Sequence, residues 1–261
     1  MPMWLDDLLS RKPSRRAGNN LIYDGGGSAD WSQRQQDSVA RYTDDSYEGD
    51  PSVGQMFGNF IATGLAERDA VVLDIGCGLF PGLPHYVAQL GLNRYLGLEP
   101  LTEPVDRTYP CLVGALAEKI PLKDSSVDAV LFATSLDHIE DVDAAMKEVC
   151  RVLKNDGKLF IWQGLYEPEM LAREKSFERI FFEPSPIKRA ARMLAGPLEY
   201  AVLARRIFKR RRQLRTGERI DSAHFRWYTR QRLRESMAKW NFTVARELEP
   251  PGVASIYIEA R

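Results

Sequence analysis

The chain has 261 residues, of which 44% are hydrophobic and 10% aromatic, which is enough for one large domain with its own core. Lys plus Arg and Asp plus Glu both number 36, so the overall charge indicates no particular partner. The wide spacing of Cys77, Cys111 and Cys150 argues against a disulfide framework and a zinc site, so we predict no metal site and a cytoplasmic location. We expect no signal peptide in the charged residues 1–20, and no run of about 18 apolar residues predicts a membrane span.

Residues 1–50 are predicted to form an N-terminal arm or lid, and residues 51–261 the main domain. The arm is polar, carries three consecutive glycines at 25–27 and should enter a helix near 31–42. It also holds more aromatic residues than a linker needs, and these either pack against the main domain or close over an active site. They are Tyr23, Trp31, Tyr42 and Tyr47.

The main domain is predicted to alternate between helices and buried strands. Apolar residues recur at helical spacing over 53–65 and 142–153. Asp141 or Asp143 can cap the second of these helices, and Gly157 should stop it. Short apolar runs between helical segments indicate strands of a parallel sheet. The predicted strands are 71–75, 94–99, 111–115, 127–133 and 158–163.

The last part of the chain is predicted to be a helix and a hairpin. The helix lies near 229–240 and is capped by Thr229. Two strands follow at 242–247 and 254–259, joined by Pro-Pro-Gly at 250–252. So short a connection predicts antiparallel neighbours.

The first strand of the main domain leads into a glycine-rich turn at 76–78. Asp74 stands at the carboxyl end of this strand, where open α/β sheets bind their ligands. Glycine lets a ligand lie against bare backbone, and a helix over 83–90 would present free N–H groups to the same crevice. Because one Gly-x-Gly is a weak signal, the interpretation depends on the rest of the chain.

The alternation stops between about 165 and 221, where we predict a helical insertion after the fifth strand. Residues 188–219 hold eleven Lys or Arg and two acidic residues, Glu199 and Glu218. The insertion is either a solvated face or an amphipathic cap that closes the acceptor pocket and contacts an anionic membrane surface. Its apolar members are Ile187, Met193, Leu194, Leu198, Val202, Leu203, Ile207 and Phe208.

Four segments follow one another along the main domain. They are Val-Leu-Asp-Ile-Gly-Cys-Gly at 72–78, Leu-Gly-Leu-Glu-Pro at 96–100, Ala-Glu-Lys-Ile-Pro-Leu at 117–122, and Ser-Leu-Asp-His-Ile at 135–139 leading to Glu-Val-Cys-Arg-Val-Leu-Lys-Asn-Asp-Gly at 148–157. In this order they resemble class I S-adenosylmethionine-dependent methyltransferases, in particular the type 11 group. The resemblance covers about 70–163, with a weaker tail at 224–260. It implies S-adenosyl-L-methionine as the cofactor and an α/β fold, a doubly wound, mostly parallel seven-stranded sheet with a terminal antiparallel hairpin.

The resemblance also implies a set of cofactor-binding residues. The turn 76–78 would let the cofactor approach the backbone, Asp74 would orient the turn and attract the ammonium group, and Glu99 would accept both ribose hydroxyls. Many relatives carry Asp at the position of Leu116, so the adenine amino group is expected to contact backbone, water or Glu118. The implied set is Asp74, Gly76, Cys77, Gly78, Glu99, Pro100, Leu101, Leu116, Ala117, Ala133 and Thr134.

Two candidate catalytic residues, Asp137 and His138, follow the fourth predicted strand, close to where the acceptor must lie. His138 can take a proton near neutral pH, and Asp137 can act as a base or a substrate contact; packing beside the next helix is the alternative. His224 and Trp227 either face the pocket or pack in the core. The implied reaction is an in-line displacement in which an acceptor O or N attacks the sulfonium methyl.

Three other functions compete with this interpretation. A NAD-type oxidoreductase would need a third glycine at position 81, which is Pro81. The basic insertion suggests an RNA methyltransferase, but residues 133–136 read Ala-Thr-Ser-Leu, unlike the Asn/Asp-Pro-Pro-Tyr/Phe of enzymes that methylate base amino groups. The intact turn and Glu99 argue against a non-catalytic cofactor-binding protein. A small-molecule, lipid or sugar-type acceptor is therefore preferred, and no nucleic-acid partner is expected.

Overall fold

The computed structural model describes residues 2–25, 27–42, 51–65, 67–167, 185–187, 223–251 and 253–261, together with helical positions between 201 and 216; for residues 36–42 and 51 only the backbone is described. Much of the predicted insertion, and Tyr47 of the predicted arm, lie outside these residues. We name the helical positions of the insertion the basic helix. It comprises residues 201, 202, 204, 205, 207–209, 211–213, 215 and 216.

Among the described residues, nine strands form one sheet of order β1-β2-β5-β4-β3-β6-β7-β9-β8. The neighbours β5, β4, β3, β6 and β7 are parallel, and β9 is antiparallel to β7 and to β8. The doubly wound α/β prediction and the terminal hairpin are therefore confirmed. The strands are β1 (Arg15–Ala17), β2 (Asn20–Ile22), β3 (Val71–Ile75), β4 (Arg94–Glu99), β5 (Cys111–Val113), β6 (Val127–Ala133), β7 (Leu153–Gly164), β8 (Val244–Leu248) and β9 (Ser255–Ala260).

The sheet has nine strands and not the seven that were expected, because the N-terminal segment adds a hairpin to one edge. β1 and β2 are antiparallel, and β2 pairs in parallel with β5. Gly18, with φ of +56°, allows the tight turn between them, and the side chain of Leu21 is fully buried. Strands of three residues are too short to show a periodic pattern, which is why the sequence indicated only a polar arm here.

Helices cover both faces of the sheet, and two of their caps were predicted correctly. Asp141 accepts a hydrogen bond from the N–H of Ala144 (3.0 Å), and Thr229 accepts one from the N–H of Arg232 (3.2 Å). Gly157 does not end a helix; it lies inside β7, which starts directly after the helix. The helices are α1 (Met3–Leu8), α2 (Ala29–Tyr42), α3 (Pro51–Gly64), α4 (His85–Ala88), α5 (Val142–Val152) and α6 (Arg230–Lys239).

The aromatic side chains of the N-terminal segment that can be described pack inward. Tyr23 and Trp31 are both buried, and the hydroxyl of Tyr23 donates to the carbonyl of Arg11 (3.1 Å). α2 also reaches the C-terminal half of the chain, since Arg34 Nη1 donates to the carbonyl of His224 (3.1 Å). Within the described ranges, no helix combines the length and the apolar character that crossing a bilayer requires.

Candidate active site

The turn after β3 requires glycine at two positions. Gly76 and Gly78 have φ of +75° and +79°, in the left-handed region that side chains disfavour. A Cβ on Gly76 would lie 2.5 Å from the Cβ of Ser135, which follows β6. The N–H of Gly76 donates to the carbonyl of Leu98 (2.8 Å), so the turn folds across the end of β4. Partly exposed glycine backbone thus lies at the carboxyl edge of the sheet, where a ligand of an α/β protein lies.

Glu99, the last residue of β4, joins this turn to the next loop. One carboxylate oxygen accepts the N–H of Gly78 (2.8 Å), and the other accepts the N–H of Leu101 (3.0 Å). Burial raises the pKa of Glu99 to about 7, and the two N–H donors oppose this shift only in part. Each oxygen keeps a second lone pair, so the carboxylate can still accept two hydroxyl groups.

Asp74 is fully buried and is held by two tyrosines. Its Oδ2 accepts the hydroxyls of Tyr86 (2.8 Å) and Tyr95 (2.7 Å), and burial raises the pKa of Asp74 to about 6. Its Oδ1 has no hydrogen-bond partner among the described residues, so this oxygen can accept from a ligand cation. The turn itself is hydrogen-bonded to the side chain of Glu99 and to the carbonyl of Leu98.

The middle residue of the turn, Cys77, points into the core. Its Sγ lies 3.8 Å from that of Cys111. From the loop before β5, the buried Arg107 donates through Nη2 to the carbonyl of Gly78 (3.0 Å). The sequence analysis did not identify Arg107, Tyr86 or Tyr95, because none of them lies in a recognisable motif. Only the fold brings them to the turn.

The remaining predicted cofactor residues lie at the same edge of the sheet. Pro100 and Leu101 follow β4, and Leu116 and Ala117 follow β5; all but the buried Ala117 are partly exposed. Gly114 donates its N–H to the carbonyl of Glu99 (2.8 Å), which holds the two strand ends together. Glu118 Oε1 accepts the N–H of Asp141 (3.2 Å), and lone pairs remain on this carboxylate for the alternative adenine contact.

The segment after β6 lies beside the turn. Thr134 has φ of +58° and donates its N–H to the carbonyl of Trp162 (2.8 Å), while Ala133 ends β6. Ser135 Oγ donates to the carbonyl of Ile75 (2.5 Å). These bonds fix the start of the segment that carries both predicted catalytic residues.

Asp137 and His138 lie together with His224, which comes from the segment before α6. The rings of the two histidines have centroids 4.5 Å apart, and His224 Nε2 lies 3.9 Å from Asp137 Oδ2. Gln163 Nε2 donates to the same oxygen (2.9 Å), while Asp137 Oδ1 is buried without a hydrogen-bond partner in the described part of the chain. Trp227 packs beside His224, at 5.0 Å between ring centroids.

Comparison with known proteins gives matches over the central segment. Residues 73–161 match a family described as a methyltransferase domain. The ubiquinone/menaquinone biosynthesis C-methyltransferase UbiE of Brucella canis is 31% identical over 114 residues, which are 43% of this chain and 41% of that protein. The same-named protein of Chromobacterium violaceum is 53% identical over 45 residues, 17% of this chain and 18% of that protein. The chain thus spans less than half the length of these curated relatives.

Two solved structures share the fold over most of the chain. One is 1,6-didemethyltoxoflavin-N1-methyltransferase of Burkholderia thailandensis, with a TM-score of 0.56, 14% identity and coverage of 88% of this chain and 87% of that one. The other is the PH0226 protein of Pyrococcus horikoshii OT3, with a TM-score of 0.52, 17% identity and coverage of 83% and 93%. Residues 73–161 therefore match a methyltransferase domain, and the sheet has the fold of these two structures.

Proposed function

We propose that the chain transfers the methyl group of S-adenosyl-L-methionine to an oxygen or nitrogen of a small-molecule, lipid or sugar-type acceptor. The observation that carries the proposal is the bond between Glu99 and the N–H of Gly78. This bond sets a buried carboxylate beside partly exposed glycine backbone at the carboxyl edge of the sheet. A nucleoside with an amino-acid tail needs both features, since its ribose diol requires an acceptor and its tail requires open backbone.

The residues around the turn fit such a cofactor. Glu99 would accept the ribose hydroxyls on the lone pairs that Gly78 and Leu101 leave, and the unpartnered Oδ1 of Asp74 would attract the ammonium group. The adenine would lie between the ends of β4 and β5. The residues proposed to line it are Pro100, Leu101, Leu116 and Ala117.

The bound cofactor would supply an electrophilic sulfonium methyl, so the chain's own task is to position the two reactants. Orientation of this kind lowers the activation barrier by up to about 7–11 kcal/mol in well-aligned systems. Gly76 and Ser135 lie in contact, so the segment after β6 adjoins the turn. We propose that Asp137 and His138, two and three residues further on, face the acceptor and hold its nucleophilic atom.

The acceptor class is supported by the similar proteins, whose names describe acceptors of different kinds. The UbiE proteins are named as C-methyltransferases of ubiquinone and menaquinone biosynthesis, and the Burkholderia thailandensis enzyme as an N1-methyltransferase of a didemethyltoxoflavin. All are small molecules or lipids, which supports such an acceptor here. The nucleophilic atom differs between these relatives, so we infer it from the histidine cluster, which suits a hydroxyl or an amine.

We further propose that the basic helix contacts an anionic membrane surface. Phe208 is 71% exposed and Val202 46% exposed, so apolar side chains face solvent among cationic ones. Such a mixture of exposed apolar and basic side chains is typical of helices that lie in the headgroup region. RNA would be attracted by the same charges, so binding to vesicles and binding to RNA must be measured separately. The exposed basic residues are Arg205, Lys209, Arg211, Arg212 and Arg215.

The proposed activity is tested with methyl-labelled S-adenosylmethionine against separate pools of small molecules, lipids and RNA. We expect label and a mass increase of one methyl group in a small-molecule or lipid product, and much less of both with the Glu99→Ala variant when S-adenosylmethionine is not saturating. Glu103→Ala, which changes an exposed acid four residues away, is the matched control. Label found only in RNA would contradict the proposed acceptor, and no transfer to any pool would contradict the activity.

A further inference from the structure

The cluster of Asp137, His138 and His224 has the donor set of a metal centre. We propose that these three side chains bind one divalent transition-metal ion at the acceptor side of the site. One carboxylate oxygen and one nitrogen from each histidine lie within 4.8 Å of one another. Bonds of about 2.0–2.2 Å from a metal to N and O ligands place such atoms roughly 3–4 Å apart, so rotations of the two imidazoles close the site.

Two separate parts of the chain supply the ligands, and a backbone bond ties them together. Asp137 and His138 belong to the helical turn Leu136–His138 after β6, whereas His224 precedes α6. The N–H of Phe225 donates to the carbonyl of Asp137 (2.9 Å). This bond fixes the distance between the two segments, so His224 is held beside the carboxylate by the fold and not by chance proximity of surface side chains.

The carboxylate is oriented as a metal ligand would be. Asp137 is 4% exposed and Gln163 is 1% exposed, and the amide of Gln163 donates to one carboxylate oxygen at 2.9 Å. The other oxygen, Oδ1, is buried without a hydrogen-bond partner among the described residues. A buried acceptor with no donor costs free energy unless a ligand or ion satisfies it, and outer hydrogen bonds such as that of Gln163 usually orient metal ligands.

The donor types indicate which ions would bind. Imidazole nitrogens suit Zn²⁺, Co²⁺, Ni²⁺, Fe²⁺ and Cu²⁺, whereas Mg²⁺ and Ca²⁺ prefer oxygen ligands. Two histidines and one carboxylate leave coordination positions open, and an acceptor hydroxyl in one of them would become a stronger nucleophile because the ion stabilises its anion. This role rests on the proposed methyl transfer, whereas binding of the ion does not. The sequence predicts no metal site, because the three residues are not close in a recognisable motif.

The direct test is titration of chelator-treated protein with Co²⁺, followed by visible absorption and by total metal analysis. We expect one bound ion per chain, with at least about a tenfold loss of affinity in Asp137→Asn and in His224→Gln. Gln163→Met, which removes only the orienting bond, should lower affinity by about 10- to 100-fold. The chain has three histidines, so His85→Gln, which changes the exposed one that lies on α4, is the matched control and should bind normally.

A second measurement keeps the test decisive if the variants fail to fold. X-ray absorption of the Co²⁺-loaded wild-type protein should show two imidazole ligands and oxygen for the rest. Absence of stoichiometric binding, equal binding by all variants, or a first shell without imidazole would overturn the inference. Titration of the same samples with S-adenosylmethionine distinguishes this failure from that of the proposed function, because cofactor binding without metal binding rejects only the metal site.

Discussion

The carboxylate of Glu99 accepts the backbone N–H of Gly78 at 2.8 Å, so the acid that ends β4 also holds the turn that follows β3. The same carboxylate accepts the N–H of Leu101. One buried side chain therefore connects three pieces of the proposed cofactor site. Changes at Glu99 are expected to affect both the contact to the ribose and the shape of the turn.

The pH dependence of cofactor binding should report the raised pKa of Glu99. Burial places this pKa at about 7, above the ordinary value of 4.5, so the ionised form that accepts ribose hydroxyls is lost as the pH falls through about 7. Affinity for S-adenosylmethionine should therefore rise from pH 6 to pH 8 by roughly tenfold, since one pH unit below a pKa removes about nine-tenths of the ionised form. Titration calorimetry across this pH range measures the affinity.

A control variant distinguishes the titration of Glu99 from that of Asp74, the second buried acid of the site. Burial raises the pKa of Asp74 to about 6, so Glu99→Gln should retain only the weaker dependence below about pH 6. Stability should change with pH in the opposite direction to cofactor affinity. Because both acids have a pKa above its ordinary value, ionising them in the folded protein lowers the free energy of unfolding as the pH rises towards about 7. An unchanged pH profile in Glu99→Gln would show that another group titrates.

Gly78→Val should abolish cofactor binding without unfolding the protein. Valine disfavours the φ of +79° found at this position, and its Cβ would lie 2.9 Å from the ring of Phe80. Far-ultraviolet circular dichroism should stay close to that of the wild type, because the turn lies outside the strands. Gly82→Val is the matched control, since a Cβ there meets no atom within 4 Å. Normal binding by Gly78→Val would place the cofactor elsewhere.

Gly97→Ala should destabilise the sheet below the turn. A Cβ at this position of β4 would lie 2.6 Å from the Sγ of Cys77 and 3.3 Å from that of Cys111. Overpacking of this kind costs about 1–3 kcal/mol, which urea denaturation would detect. Gly164→Ala, also in a strand, has no atom within 4 Å of its new Cβ and serves as the control. Equal unfolding midpoints for the two variants would mean that the thiols move aside freely.

The basic helix gives a prediction about partners. Replacing Arg205, Lys209, Arg211 and Arg212 by Gln should weaken binding to anionic vesicles by more than about tenfold, since each such residue near the surface contributes about 1 kcal/mol. Binding of the wild-type protein to anionic vesicles should weaken at high salt. Phe208→Ala should weaken vesicle binding while leaving any RNA binding unchanged.

The control for this experiment removes the same number of positive charges from other exposed positions. Its substitutions to Gln are at Arg68, Arg94, Lys119 and Lys147, all exposed. If both quadruple variants bind vesicles like the wild type, the basic helix is a solvated face. If only RNA binding is lost in the first variant, nucleic acid is the partner of these charges.

The parts of the fold that were predictable from sequence are those in which local pattern and tertiary structure agree. Each residue of β3 is buried, so its apolar run indicated a central parallel strand, and the side chains of Asp141 and Thr229 cap the helices that they precede. The edge hairpin was missed because β1 is exposed along its length. Its pairing depends on the neighbouring β5, which local pattern does not reveal.

The site was predictable to the extent that its residues lie in short motifs. Gly78 and Glu99 lie in two separate motifs and are joined by a hydrogen bond, while their role in cofactor binding stays a prediction. Tyr86, Tyr95 and Arg107 were not predictable, because each reaches the turn from a different loop or element of the fold. For His224 the sequence left two alternatives, a side chain that faces the pocket or one that packs in the core. Its position beside Asp137 was not predictable, because it depends on where the fold places the segment before α6.

The most direct test of the account is calorimetric titration of wild type and Glu99→Ala with S-adenosylmethionine and, in parallel, with NAD⁺. We predict that each wild-type chain binds one S-adenosylmethionine and no NAD⁺. Binding of S-adenosylmethionine should be weaker in Glu99→Ala by about 1.5–3 kcal/mol, which is the usual contribution of hydrogen bonds to a charged group. Equal affinity of both proteins for S-adenosylmethionine, or tighter binding of NAD⁺, would contradict it.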